Sequence, residues 1–431
     1  MLSKEEEMRV RSLLDQSERA YSARDGATAM RLLLEARNIA PDHPMVLNLA
    51  GIRALNEGHA AEALELFRRA VARDEKTAAL HVNMAAALRQ LQRHDEELLA
   101  LERALAIEPR NLLALLGKAA SIERRGDRRA AATVYANALK TLHPGQQFPE
   151  ALRPLLASAQ KAVQANADAL QRHLQQKLAG VRSASDDAQE RFDHALDALL
   201  GRRHIYHPQP TQMHFPKLPA LEFYPRELFP WLATLEAATA DIRAEFERVF
   251  VEDQNRLEPY IAYPDGVPLD QWRDLNRSRR WSAFFLWRDG KAVEENLARC
   301  PRTAALLAKM PLHDVPRHAP TAFFSILDAH TQIPAHTGVT NTRVIAHLPL
   351  VLPGQCRFRV GSETREWRAG EAWVFDDTIE HEAWNESDSP RAILIFDLWN
   401  PFINEAERAL IREAMPAIAD YYGNTHEKGG I

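Results

Sequence analysis

The chain has 431 residues, 46% of them apolar and 26% charged, with a formal net charge of −5. That balance excludes a disordered or membrane-embedded chain and leaves room for two or three cores. Its lysines and arginines are spread along the sequence without a basic tail or stripe, so nucleic acid is not an expected partner. The opening residues "MLSKEEEMRV" lack the apolar core of a secretory signal, and no run of about 18 uncharged apolar residues follows. The expected location is the cytoplasm, with no membrane partner. Cys300 and Cys356 stand far apart with no CxxC partner, so both are expected to be reduced and structural.

Residues 1–144 repeat with a period of 34. Pro41, Glu75 and Pro109 form one series, Ala36, Ala70, Ala104 and Ala138 a second, and Leu33, Phe67, Leu101 and Tyr135 a third. Ala29, Ala63 and Ala131 form a fourth that Glu97 interrupts, while Gly58, Gln92 and Gly126 mark a turn. Small residues let two antiparallel helices approach, a large apolar residue fills their seam, and proline ends the second helix. The pattern resembles the tetratricopeptide repeat in about four copies. Stacked helix pairs of this kind form a solenoid that takes a peptide or a partner protein.

Residues 145–203 continue as helix and are expected to cap the solenoid. "PEALRPLLASAQKAVQANADALQRHLQQKL" has apolar spacing near 3.6, and "DDAQERFDHALDALLG" starts with acids and stops at glycine. "HIYHPQPTQMHFPKLP" then breaks the pattern with four prolines and is expected to be a linker, with His204, His207 and His214 as solvated loop residues.

From residue 204 to 431 the texture changes. After the helical stretch "PWLATLEAATADIRAEFERVF", the runs "TAFFSILDA", "TRVIAHLPLVL", "CRFRV", "TREWRAG", "EAWVFDD" and "RAILIFDLW" carry β-branched and aromatic residues between turn formers. Strands at such short intervals predict a jelly roll. In "TRVIAHLPL" the alternation puts Arg343, Ile345 and His347 on one face.

His336 and His381, 45 residues apart, each fall at a turn beside a strand end, where two neutral imidazoles suit a first-row metal. Arg391 opens the strand "RAILIFDLW" and offers a guanidinium fork for a carboxylate. Ser325 lies in another strand and offers a hydroxyl. Together they point to a dicarboxylate that also touches the metal. Asp376, Asp377 and Glu380 precede His381 and are expected to serve turn amides or orient a histidine.

The stretch from "HTGVTNTRVIAH" to "DDTIEHEAWNESDSPRAILIFDLWNP" resembles the core of the aspartyl/asparaginyl β-hydroxylase family, whose members are iron(II)- and 2-oxoglutarate-dependent oxygenases. The similarity reaches back through "RRWSAFFLWRDGK" and "CPRTAALLAKM" and covers about residues 215–405. It implies a double-stranded β-helix oxygenase domain with flanking helices, His336 and His381 as iron ligands, and O2 as co-reactant. It also implies 2-oxoglutarate held by Arg391, Ser325 and His347, with Trp281 at the wall. Gly338 stands where most enzymes of this cofactor class carry a carboxylate, and the family shares that glycine.

Two positions depart from the family's eukaryotic members. Ile345 replaces an arginine, and Phe323 replaces a lysine; Arg343, one pleat away, is the cation that could compensate. The resemblance therefore implies a multidomain chain in which an all-α repeat arm recruits a protein or peptide whose side chain is hydroxylated, with Asp or Asn as precedent. Hydroxylation of a small molecule or amino-acid conjugate, with the repeats as an assembly arm, is the alternative. A non-catalytic scaffold is the third reading.

Overall fold

The computed structural model describes residues 2–143, 145–181 and 186–422, and the chain divides into two compact units, Met1–Arg191 and Phe192–Ile431. In the first, helices pair in chain order: α1 (Lys4–Ser22) with α2 (Gly26–Ile39), α3 (Pro44–Asn56) with α4 (Ala60–Arg73), α5 (Ala78–Gln90) with α6 (His94–Ile107), and α7 (Leu112–Arg124) with α8 (Arg128–Leu139). These are the four repeat copies. The turn inside each pair needs one left-handed residue, and Arg24, Gly58, Gln92 and Gly126 supply it with φ of 63°, 88°, 59° and 91°. Arg24 thus completes a series that residue identity conceals, since backbone conformation and not side chain is what the turn requires.

Ala36, Ala70, Ala104 and Ala138 are buried at the helix crossings, with Phe67 and Tyr135 buried in the seams. Glu97 interrupts the alanine series because it is partnered: its buried carboxylate accepts two bonds from Arg124 Nη2, at 2.7 and 2.6 Å. Helix α9 (Arg153–Leu178) packs on α8 and covers the last repeat, with Leu156 and Ala159 joining Tyr135 in one cluster. A further helix, α10 (Asp186–Leu199), follows.

The second unit is a double sheet, its strands being β1 (Glu258–Pro259), β2 (Trp281–Arg288), β3 (Lys291–Ala292), β4 (Ala322–Leu327), β5 (Thr331–His336), β6 (Arg343–Val351), β7 (Cys356–Val360), β8 (Glu363–Glu366), β9 (Trp373–Phe375), β10 (His381–Asn385) and β11 (Arg391–Trp399). One sheet runs β1-β2-β4-β11-β6-β9, with β3 against β2, and the other β5-β10-β7-β8. All pairings are antiparallel, and from β4 onward the chain crosses repeatedly between the sheets, which is jelly-roll topology.

Both faces of the larger sheet are buried. Its outer face (Phe284, Leu286, Phe324, Val344, Ala346, Leu394, Phe396) packs on α11 (Leu232–Ala237), α12 (Thr239–Glu252) and α14 (Pro301–Leu307) through Leu235, Ile242, Phe246 and Leu307. A short helix, α13 (Glu294–Arg299), precedes α14, and α15 (Glu405–Tyr421) closes the unit with Ile411 against Trp399. The inner face looks toward the smaller sheet. Strict alternation along β6 therefore sends Ile345 and His347 inward, as the sequence pattern requires.

The stretch read as a linker is docked. Gln209 N donates to Thr378 O at 2.7 Å, Thr211 N to Gly338 O at 3.0 Å, and Phe215 N to Asn341 Oδ1 at 2.7 Å. His204, His207 and His214 are exposed along it. Proline content marks where helix ends, but it carries no information about where an extended backbone finds its hydrogen bonds. Among the described residues no helix is long and apolar enough to cross a membrane.

Candidate active site

His336 ends β5 and His381 begins β10, and the two are direct partners across that strand pair. Their ring centroids lie 4.0 Å apart. Each Nδ1 faces a backbone carbonyl two residues back, His336 that of Pro334 at 2.7 Å and His381 that of Ile379 at 3.0 Å. A carbonyl can only accept, so each Nδ1 carries the proton and each Nε2 keeps a lone pair. Burial pushes His381 down to about 4 and His336 well below the ordinary histidine range, where its neighbour His381 pushes the same way. Two neutral rings with fixed tautomers and adjacent lone pairs can hold a metal. Among the described residues no third histidine, cysteine or carboxylate completes a metal-ligating cluster.

Gly338 explains part of that. A Cβ at 338 would fall inside the Asp377 carboxylate, whose Oδ2 accepts from Arg343 Nη2 at 3.0 Å. Gly338 N also donates to Asp377 O at 2.6 Å. The second position after the first histidine is therefore glycine because a buried carboxylate from another strand end fills the space. Asp376, beside it, serves the turn: its Oδ1 takes Thr378 N at 2.9 Å and Thr378 Oγ1 at 2.6 Å, and burial pushes it up to about 7.

Opposite the histidines, the inner face of the larger sheet reads as rungs. The first joins Trp281, Leu327 and Arg391, and the next Ala283, Ser325 and Ile393. The third joins Phe285, Phe323, Ile395 and His347, and the fourth Asp397, Ile345 and Phe375. Ser325 is wholly buried and its Oγ accepts from Trp281 Nε1 at 3.1 Å. Arg391 is only 1% exposed, yet its Nε and Nη1 have no hydrogen-bond partner. Burial drives it down to about 10. Nearby, His347 Nδ1 is equally without a partner. A buried guanidinium with open donors is costly unless an anion arrives to meet it, so this end of the cleft is built for a carboxylate.

Arg343, the cation left to compensate for Ile345 and Phe323, is engaged. It lies between Asp377 and Asp397, donating to the latter's Oδ2 at 3.2 Å. Phe323 stacks on Tyr260 at 4.9 Å, and Tyr260 on Trp281 at 4.2 Å.

Residues 236–401 match the sequence profile of the Aspartyl/Asparaginyl beta-hydroxylase family. Over this stretch the C-terminal unit is similar to that family. This unit is 33% identical over 197 residues to the ornithine lipid ester-linked acyl 2-hydroxylase of Rhizobium tropici, covering 45% of this chain and 66% of that protein. It is 32% identical over 190 residues to the human aspartyl/asparaginyl beta-hydroxylase, covering 44% of this chain and 24% of that one. The chain thus spans under two thirds of one relative and a quarter of the other. Among solved structures, the thermophilic tetratricopeptide protein TTC0263 of Thermus thermophilus overlaps 44% of this chain and 99% of its own at 20% identity, with a TM-score of 0.32; the repeat fold rests on the helix pairing itself.

The C-terminal unit places His336 and His381 on the smaller sheet and Trp281, Phe323, Ser325, Arg343, Ile345, His347 and Arg391 on the larger one, and adds three residues that the sequence did not single out. Trp367, in the loop after β8, lies with its ring 4.7 Å from the Arg391 guanidinium carbon. Tyr260 covers Trp281 and Phe323, and Asp397 neutralises Arg343. Only Asp397 left a signal: it shares the inward parity of Arg391, Ile393 and Ile395 in an otherwise apolar strand, where a lone acid implies a buried cation.

Proposed function

We propose that this chain is an iron(II)- and 2-oxoglutarate-dependent hydroxylase that uses O2. The observation that carries the reading is Arg391, a buried cation with open donors in the same cleft as two neutral histidines with free Nε2 lone pairs. The donor set fits: His336 and His381 would hold the iron, while Arg391 and Ser325 would grip the distal carboxylate of 2-oxoglutarate, with His347 near its other end. Iron and cosubstrate would supply the oxidation of an unactivated C–H bond coupled to decarboxylation of 2-oxoglutarate to succinate.

The chain's own residues orient and exclude water. Carbonyl bonds lock both imidazole tautomers, so no proton has to leave a histidine before a metal is taken up near neutral pH. Trp281 fixes the Ser325 hydroxyl through Nε1. Tyr260, Trp281 and Phe323 form a stacked apolar wall that keeps bulk water from the cleft. The repeat unit would recruit a protein or peptide target; the relatives' names carry both aspartyl/asparaginyl and lipid acyl substrates.

Incubation with iron(II), ascorbate, 2-oxoglutarate and a cell lysate is expected to yield succinate and a product heavier by one oxygen. Absence of both, with the protein folded and iron-loaded, would sink the proposal. Removing residues 1–144 is expected to raise KM for a protein target and leave the site's affinity for 2-oxoglutarate unchanged.

Trp367 gives a finer test. Its ring is the electron-rich partner that Arg391 has while its carboxylate partner is absent, a contact of about 1–2 kcal/mol when desolvated. Trp367→Leu is expected to weaken 2-oxoglutarate binding about tenfold, with Trp367→Phe losing much less. Equal affinities for the two variants in calorimetry would show that the ring's charge distribution does not position the guanidinium.

A further inference from the structure

The wall beside the histidines determines what kind of substrate group can sit there. Between the Arg391 rung and Arg343, the inner face of the sheet carries Phe285, Phe323 and Ile395 on one rung and Ile345 with Phe375 on the next. Phe375 touches the rings of both His347 and His381, at 4.8 and 5.4 Å between centroids. Ile345 therefore stands one strand away from a ring in contact with a proposed metal ligand. Phe323 packs against Phe285 at 5.3 Å and under Tyr260. The two polar side chains on these rungs offer no free charge to a substrate: Asp397 is bonded to Arg343, and burial holds His347 well below the ordinary histidine range.

Its two ends do not offer a free charge to a substrate either. Arg343 is bonded to Asp377 and to Asp397, so that one cation faces two carboxylates. A substrate carboxylate placed here would meet net negative charge across apolar surface. At the other end, Arg391 is the cation assigned to 2-oxoglutarate. Bringing an ionised carboxylate into such a space without a partner costs several kcal/mol, whereas each methylene seated on the wall contributes about 0.8 kcal/mol.

We propose that the group oxidised in this site belongs to an uncharged aliphatic chain, and that Phe323 and Ile345 set that preference. The proposal rests on the hydroxylase reading for its location, and on the wall alone for its chemistry. The shared chemistry is a saturated chain, which an acyl group and an aliphatic peptide side chain both provide.

The test uses the full chain under anaerobic conditions with iron(II) and 2-oxoglutarate, and titrates three probes by calorimetry: N-octanoyl-glycinamide, acetyl-Gly-Leu-Gly-amide and acetyl-Gly-Asp-Gly-amide. At least one aliphatic probe is expected to bind about tenfold or more tighter than the aspartyl probe. An octanoyl lead supports an acyl source of the chain, a leucyl lead a peptide source. Phe323→Lys and Ile345→Arg, singly, are each expected to shift the ratio toward the aspartyl probe by about tenfold or more. Asp397→Asn leaves Arg343 facing one carboxylate, Asp377, instead of two; it removes a negative charge without placing a charge in the wall and is expected to move the ratio the same way, which keeps the test open if a wall variant fails to fold. An aspartyl probe that binds as tightly as either aliphatic one in the unaltered chain overturns the proposal, as does failure of both aliphatic probes to bind. The 2-oxoglutarate titration in the same cell separates the two readings. If 2-oxoglutarate does not bind and the probe ratio holds, the hydroxylase reading fails and the wall's preference stands. If it binds and the ratio is inverted, only the wall's preference fails.

Discussion

Replacing Arg391 with methionine is expected to make the ligand-free protein more stable while abolishing its use of 2-oxoglutarate. The guanidinium is 1% exposed, and Nε and Nη1 lack partners. Burial lowers it well below the ordinary arginine range, to about 10, roughly 3 kcal/mol of desolvation that the Trp367 ring offsets only in part. Arg391 is a base whose proton affinity is reduced by folding, so the penalty stands at every pH below about 10 and is relieved only above it. Methionine has similar reach and no charge. A gain of roughly 1–3 kcal/mol in urea unfolding is expected, discounted for the cation–π contact with Trp367 that is lost with the charge.

The functional loss runs the other way. A buried guanidinium–carboxylate pair with one partner deleted costs about 3–5 kcal/mol, so KM for 2-oxoglutarate should rise by two to three orders of magnitude. Adding 2-oxoglutarate at about 100 times its Kd should stabilise the unaltered protein by about 2.7 kcal/mol and leave the variant unmoved. A variant less stable than its parent would mean that the guanidinium already has a counter-charge, and the carboxylate-receiving role would fall with it.

Gly338→Asp, which writes the missing carboxylate of the commoner His-x-Asp arrangement into this site, is expected to damage it. The new Cβ would fall inside the Asp377 carboxylate, and Asp377 cannot yield without leaving Arg343, to which its Oδ2 is bonded at 3.0 Å. Overpacking of this kind costs about 1–3 kcal/mol, and placing another carboxylate beside two buried ones adds to it. A loss of about 3 kcal/mol or more in chemical unfolding is expected, with weaker iron uptake. Pairing it with Asp377→Gly empties the contested space and should restore most of the stability, a coupling that a double-mutant cycle reads directly. If Gly338→Asp alone is as stable as its parent and binds iron better, Asp377 is not what keeps position 338 a glycine.

Much of this was legible in the residues. The 34-residue period implied the helix pairs because each repeat is a local object, closed by contacts within one pair and the next. Alternation in "TRVIAHLPL" turned His347 inward with Ile345 before any sheet was drawn, since pleat parity is a property of the strand alone. Other features had no local trace. The prolines of residues 204–219 mark irregular backbone, yet the segment's bonds to Gly338, Asn341 and Thr378 join backbone atoms whose identity no side chain encodes. Trp367 reaches Arg391 from a loop 24 residues upstream, and nothing in "TREWRAG" distinguishes it from an ordinary core tryptophan.

By itself, the sequence determined that an α-helical repeat precedes a β-rich unit, which side chains face inward, and that two histidines, a serine and an arginine are candidates for one chemistry. The tertiary structure decided three further things: that His336 and His381 are partners across β5 and β10, that Asp377 fills the space a longer residue 338 would need, and that Arg343 is neutralised by two carboxylates 34 and 54 positions away. The division has a physical cause. Helix and strand periodicities arise from bonded geometry within a few residues, whereas strand register and ion pairing depend on free-energy differences between groups that only folding brings within a few ångströms of one another.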